Sequence, residues 1–353
     1  MRRVVRSAPG RMALVGNPFD IYGGKTISLT LKDLRSVVEV MTPPISKHGK
    51  NKQVIHSDIF KPGNQRKAQR RELEFATIET LDLQHHCFEH YDGSNMPYES
   101  ALARSTAAVV AMIKSYNKLF RRGIMSRYVV AERAWAVERK LGVCGGQERY
   151  AVAFDDEELP NDELEKLLLD VKNHKKIHQS RPGKLFFMDF AGREDHHFTG
   201  NYAHIEDLKV PKINFAIAYL PAEKHRMNSF NIHQELREEY LNGSRDLIND
   251  FRDNSDKNTL QAFKTLDGNF NPEVLANCMT ESLNCRFEMY KAVLGLEDDL
   301  ITQDVFEMID VAKNAGIKGY NQPGSKSLCF MYEDKKQLQY FKDAGYEIIK
   351  VVQ

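Results

Sequence analysis

The sequence predicts an α+β protein of two domains, the first a mixed α/β unit and the second a split βαβ unit. Three observations carry this. Apolar and polar residues alternate as in strands over Val4 to Ser7, Met12 to Val15 and Thr26 to Leu31. Apolar residues recur at helical spacing over Ala103 to Arg121 and over Val129 to Leu141, the latter stopped by Gly142. The closing stretch from Thr302 to Val352 reads helix, strand, helix, strand, a ferredoxin-like arrangement when joined to the strand before it. A chain of 353 residues suits one large or two medium domains. We place the boundary between 1–207 and 208–353.

The remaining elements follow in order. Residues 44–71 are polar, basic and rich in Pro, Gly and Asn, so they read as an excursion from the domain. Glu72 to Tyr91 resumes strand-like character. Asp155 to Pro182 is a charged insertion with a helical centre and Asp162 as its cap, suited to a lid, a partner surface or a surface decoration. Lys184 to Phe190 is a strand, and Ile213 to Leu220 is a strand that reads as buried. Helices follow around Ile232 to Phe251 and over Pro272 to Leu294.

Composition narrows the function classes. Lys and Arg total 50 against 49 Asp and Glu, which disfavours a nucleic-acid binder working by bulk charge. The basic run from Lys47 to Arg71 reads as a solvated loop, with polyanion or phosphate binding as its minority reading. No stretch has the roughly 18 apolar residues of a membrane span. The start, M-R-R-V-V-R-S, lacks the apolar core of a secretory signal. Five scattered cysteines without a C-x-x-C pair suit free thiols in a reducing compartment, so a cytoplasmic location is expected. The pairs His85–His86 and His196–His197 would point to opposite faces of a strand, which makes neither a chelate.

Two segments carry chemistry on their residues alone. Between the first strands, Gly16, Asn17, Pro18, Asp20, Tyr22, Gly23 and Gly24 form a turn far richer than chain reversal requires. Its glycines admit another molecule to the backbone, although an ornate hairpin would look the same. From Tyr91 to Val110 a small-residue loop opens into an Ala-rich helix, whose N-terminal N–H groups suit a phosphate. Ser105 and Thr106 add hydroxyls able to touch phosphate or Mg²⁺. Ser100 or Ser105 acting only as a helix cap is the structural alternative.

The first segment resembles the opening motif of the GHMP small-molecule kinases, most nearly the glucuronokinase-like sugar kinases with A-x-x-R followed by G-N-P-S-D-x-Y-G-G. The matching residues are Ala8, Arg11, Gly16, Asn17, Pro18, Asp20, Tyr22, Gly23, Gly24 and Thr26, with Phe19 in place of the serine. The second segment is similar to the phosphate loop P-x-x-x-G-L-x-G-S-S-A through Pro97, Leu102, Ser105 and Ala107. Thr106 replaces the second serine, and Ala101 and Arg104 replace glycines. The third, A-V-E-R-K-L-G-V-C-G-G-Q-E-R-Y from Ala136, is similar to A-A-E-x-E-L-G-I…A-G-L-Q-D-R-V. The fourth, Ala315 to Phe330, keeps Gly316, Lys318 and Gly324 of the family's C-terminal glycine-rich motif.

The resemblance implies a two-domain GHMP-kinase fold that phosphorylates a small hydroxylated substrate with ATP and Mg²⁺. A sugar or uronic acid phosphorylated at its anomeric hydroxyl is the expected acceptor. Asn17, Asp20, Tyr22 and Gly23 would hold it, with Arg11 steadying it and Glu148 orienting or deprotonating the hydroxyl. Asn95, Leu102, Arg104, Ser105, Thr106 and Ala107 would hold the nucleotide, and Thr106 with Glu138 the metal. Arg104 would contact phosphate or occupy the nucleotide's place. Glu138 could equally be a solvated partner of Arg133, Arg139 and Lys140. The other reading is a GHMP-fold protein that has lost nucleotide binding and binds a ligand or a protein partner, favoured by Ala101, Arg104 and the 321–326 turn. A further variant is a kinase with an anionic acceptor, such as a nucleotide-linked sugar, met by the basic loop. A nucleic-acid partner and membrane association are not expected.

Overall fold

The computed structural model describes residues 2–42, 53–57, 72–98, 100–120, 123–142, 144–193, 202–220, 230–295, 303–324 and 327–353. Strand β1 (Arg3–Val15) and strand β2 (Lys25–Met41) form a long antiparallel pair. The two strands expected over 4–7 and 12–15 are one element. The register slips between Pro9 and Gly10, where proline has no N–H to give the ladder. Between them Phe19–Tyr22 makes a single 3₁₀ turn.

Next come β3 (Gln53–Ser57), α1 (Glu72–Thr80), β4 (Phe88–Ser94), α2 (Arg104–Phe120), α3 (Arg127–Arg139), α4 (Gln147–Phe154) and α5 (Asn161–Lys172). The first half closes with β5 (Gln179–Ser180), β6 (Pro182–Asp189) and β7 (His204–Leu208). β2 is the spine of this sheet. β1 runs along one edge, while β6 and β4 pair with its first and second halves on the other. β3 extends the sheet beside β4, and β7 beside β6. Helices α2, α3 and α4 bury Val109, Met112, Tyr116, Trp135 and Tyr150 against the inner face.

The second half consists of β8 (Asn214–Tyr219), α6 (Phe230–Asn242), α7 (Arg245–Asp267), α8 (Pro272–Leu294), α9 (Gln303–Asn314), β9 (Tyr320–Gly324), β10 (Ser327–Tyr332), α10 (Lys335–Asp343) and β11 (Glu347–Val351). Its sheet order is β11-β8-β10-β9, the antiparallel order of a split βαβ unit, with β5 added in parallel at the β11 edge. Phe19, Ile21 and Tyr22 of the 3₁₀ turn are buried in this second core rather than the first. Full burial of such side chains is worth about 1.5–3 kcal/mol each. The turn between β1 and β2 is therefore clamped by the other half of the molecule.

Two expectations are corrected. The sequence suggests strand-like character from Glu72, yet residues 72–80 are helical. Leu73, Ala76 and Thr77 fall at i, i+3 and i+4 and are buried, as α1 packs on α2 and α3. The charged insertion places α5 across the outer face of the first sheet. Leu164, Leu167, Leu168 and Val171 pack there on Val5 and Val37, so this part is a covering layer. Most of the basic run 47–71, and His196 and His197, lie outside the described residues. The five cysteines are free thiols. Among the described residues no helix is long and apolar enough to cross a membrane.

Beneath α1 lies a buried polar group. Ser57 Oγ donates to Asp92 Oδ1 at 2.5 Å, His90 Nε2 is 2.5 Å from Asp92 Oδ2, and Tyr116 Oη is 2.9 Å from His90 Nδ1. Glu74 is fully buried beside them. Burial first, and then the charge of Asp92, push its carboxyl up from 4.5 to about 9. An acid protonated when folded and ionised when unfolded makes stability fall as pH rises, here from about 4.5 towards 9. The slope for one proton is about 1.4 kcal/mol per pH unit. Glu74→Gln is expected to flatten that decline, with its advantage over the parent growing between pH 5 and 9. Urea midpoints across that range provide the check.

Candidate active site

Four chain segments converge where α2 begins. The loop before it is held against β1. Arg11 N donates to Leu102 O at 3.0 Å, and a Cβ on Gly10 would lie 2.9 Å from that same carbonyl oxygen, so glycine suits this backbone approach. Ala101 and Ala103 take φ of +57° and +60°. This is the left-handed region that glycine enters without penalty and other residues enter at about 1–2 kcal/mol. Thus Ala101 keeps a glycine's conformation at the position where the kinases it resembles have one. Gly324 at the end of β9 nests against it, and a Cβ there would come within 2.2 Å of the Ala101 Cβ. Gly324→Ala is expected to destabilise the protein by about 1–3 kcal/mol through overpacking. Adding Ala101→Gly should recover most of the loss, read as urea midpoints of the three variants.

The first turn of α2 presents Ser105 and Thr106 to α3. Thr106 Oγ1 lies 2.9 and 3.1 Å from the two Glu138 oxygens, and Ser105 Oγ donates to Glu138 Oε1 at 3.1 Å. Thr106 Oγ1 is also 3.3 Å from Glu148 Oε2. Glu148 sits in the first turn of α4 between two guanidinium groups. Arg11 contacts its Oε1, and Arg149 Nη1 lies 3.1 Å from its Oε2. Arg149 also reaches Glu138 Oε2 through Nε at 2.5 Å and donates to Gly145 O at 2.8 Å. The result is a chain of alternating charges, Arg11, Glu148, Arg149 and Glu138, with Thr106 bridging the two carboxylates.

The two carboxyls behave differently. Burial pushes Glu148 up, but Arg11 and Arg149 outweigh it and hold the group below its ordinary range. Burial likewise raises Glu138 and there prevails, since Glu148 opposes the relief that Arg149 brings. Of the two, Glu148 is the more firmly held as an anion. The solvated reading of Glu138 fails, because it is 8 % exposed and faces inward.

The Asp20 side of the site is equally buried. Gln147 donates to Asp20 from its backbone N at 3.0 Å and from its side chain at 3.2 Å. Burial raises the Asp20 carboxyl to about 6 despite the Gln147 N–H. A Cβ on Gly145 would sit 1.9 Å from Asp20 Oδ2, which explains the glycine ahead of α4. Tyr22 is 1 % exposed, packs on Tyr240 with the rings tilted at 41° and their centroids 4.8 Å apart, and its hydroxyl has no partner among the described residues. Gly23 takes φ of +81° to end the 3₁₀ turn.

Other expected residues serve the scaffold. Asn17 donates to Gln322 O at 2.8 Å and accepts from Asn321 Nδ2 at 3.0 Å, which ties the first turn to β9. Asn95 accepts from Arg35 N at 2.7 Å and donates to Asp33 O at 2.9 Å. Leu102 and Ala107 are fully buried in the first core. Arg104 turns back on its own loop, donating to Met96 O with its guanidinium 4.0 Å above the Tyr98 ring.

Residues not anticipated complete the site. Arg286 on α8 is buried and donates to Gln322 Oε1 at 2.7 Å, while its Nε has no partner among the described residues. His233 on α6 lies within electrostatic reach of both Arg286 and Glu148. Burial, and then Arg286, bring its imidazole down to about 4. Its Nδ1 is buried without a partner among the described residues. Neither residue belongs to a recognisable sequence pattern. Gln147 and Arg149 flank Glu148 in sequence, and that adjacency was the available signal.

The fold is similar to that of solved mevalonate and phosphomevalonate kinases. Methanococcus jannaschii mevalonate kinase superposes with a TM-score of 0.63 at 13 % identity, over 99 % of this chain and 98 % of that one. L. major mevalonate kinase in complex with R-mevalonate gives 0.66 at 12 %, over 99 % and 96 %. Streptococcus pneumoniae phosphomevalonate kinase in complex with phosphomevalonate and AMPPNP gives 0.63 at 13 %, over 99 % and 100 %. No protein-family model matches the chain, and no curated protein matches it in sequence.

Proposed function

We propose that this protein is an ATP-dependent kinase of a small hydroxylated substrate. The observation that carries this reading is the convergence of Thr106, Glu138, Glu148, Arg11 and Arg149 at the N-terminus of α2, from segments far apart in sequence. The helix end and the Ser105 and Thr106 hydroxyls suit a triphosphate. Phosphoryl transfer depends mainly on positioning and charge neutralisation. Glu148, kept ionised by two arginines, orients the acceptor hydroxyl and takes its proton as the oxygen attacks the terminal phosphorus and ADP departs. Arg11 fixes Glu148 and is itself fixed by Pro323 O at 2.7 Å.

The donor set at the helix end fits Mg²⁺, since one carboxylate and two hydroxyls are hard oxygen ligands. Glu138, Thr106 and Ser105 would hold the ion, which would neutralise charge on the phosphates. Among the described residues no group of three or more His, Cys, Asp or Glu is placed to hold a metal, so phosphate oxygens and water must supply the other ligands. The buried guanidinium of Arg286 favours an acceptor with negative charge, and the neutral imidazole of His233 can offer it a hydrogen bond. Among sugars this supports a uronic acid, phosphorylated at its anomeric hydroxyl, over a neutral hexose.

A second reading, a ligand- or partner-binding protein without nucleotide chemistry, is favoured by Arg104 folded over the phosphate loop. Calorimetric titration of Mg·ATP into the protein separates the two. The kinase reading expects saturable binding that weakens at least tenfold in Thr106→Ala, and ADP release on addition of a uronic acid. Absence of binding at millimolar nucleotide by the folded protein favours the second reading.

A further inference from the structure

A second cleft, of about 720 Å³, opens beside the C-terminal half of α2. Lys114, on its wall, lies ten residues beyond Arg104, about 15 Å along the helix at 1.5 Å per residue. The cleft is therefore separate from the phosphate end. Its apolar lining includes Ile113, Met125, Val130 and Ala153. Its rim carboxylates are already neutralised. Asp156 is paired with Arg127 at 3.4 Å and Lys184 at 3.2 Å, and Glu158 with Arg6 at 3.3 Å.

Lys114 differs. Among the described residues its ammonium makes no hydrogen bond or ion pair. Burial, and then Arg35, draw it down to about 8, while Asp155, Asp156 and Glu158 act in the opposite sense from a distance. A cation in a part-apolar cavity without a hydrogen-bonded partner is unfavourable by itself. It is relieved when an anion arrives with an apolar body to fill the space. A volume of this size is that of small-molecule sites.

We infer that the α2–α3–α4 cleft is a second binding site, taking a small organic carboxylate whose apolar part lies on Ile113, Met125, Val130 and Ala153 and whose carboxylate pairs with Lys114. The site is independent of whether the molecule is a kinase.

Octanoate, with octanol as its uncharged counterpart, probes the site in the full-length protein. We expect saturable octanoate binding by calorimetry, at least tenfold weaker for octanol and for Lys114→Met, which keeps the aliphatic stem. In protein bearing ¹³C-methylated lysines, octanoate is expected to raise the titration midpoint of the Lys114 signal by at least one pH unit. Equal affinity of parent and Lys114→Met for octanoate, equal affinity for octanol, no binding at millimolar octanoate, or an unmoved Lys114 signal would each overturn the assignment.

Discussion

Glu148→Gln is expected to lower turnover by about 10²–10⁴-fold, the usual contribution of a positioned acid–base group, while leaving the protein folded. The amide keeps the shape and can still face Thr106, but it cannot take a proton. The parent carboxyl is held below its ordinary range by Arg11 and Arg149 once burial is overcome. Activity of the parent should therefore stay level as pH falls through the usual carboxylate range and decline only below it. Steady-state kinetics of ADP release give both readings, with calorimetric Mg·ATP affinity as the control. Unchanged turnover with retained nucleotide binding would remove Glu148 from the chemistry and leave it a strut of the charge chain.

Arg149→Met should be the most destabilising single change in the site. Arg149 is 4 % exposed and contacts both Glu138 and Glu148. Its removal leaves two carboxylates, bridged by one threonine hydroxyl, with a single remaining cation at Arg11. Breaking a buried ion pair from one side costs roughly 3–5 kcal/mol, because a buried charge is stranded. Part of that cost should return on adding Glu138→Gln, since the stranded charge is then gone. Urea midpoints of the single and double variants measure it. A loss below about 1 kcal/mol for Arg149→Met would mean that solvent, and not Arg149, neutralises this cluster.

The regular elements were largely legible because their signals are local. Alternation over β1 and β2, helical spacing over α2 and α3, and the closing helix–strand–helix–strand pattern, whose first strand the fold splits into β9 and β10, depend on neighbours a few residues apart. The helix over 72–80 departs from its sequence signal for the opposite reason. Its intrinsic preference is weak, and packing of Leu73 and Ala76 against the α2–α3 layer decides the outcome. The break at Pro9 and Gly10 divided β1 in the sequence but only shifts its register in the sheet.

The site divides along the same line. The chain by itself determined that a glycine-rich turn follows β1, that hydroxyls open α2, and that acidic residues stand at 138 and 148. Each is a matter of residue type within one segment. Only the tertiary structure decided what those groups do. Asn17 faces Asn321 and Gln322 some three hundred residues away, and Asp20 finds Gln147. Arg104 turns back to Met96 instead of outward, and Arg286 and His233 reach the site from helices with no pattern of their own. Ala101 holds a glycine's backbone angle where Gly324 packs against it, and β1 holds the next residue through the Leu102 carbonyl. Charge and hydrogen-bonding partners are set by distance in space, and in this fold β1, α2, α4 and β9 meet only after both halves have packed together.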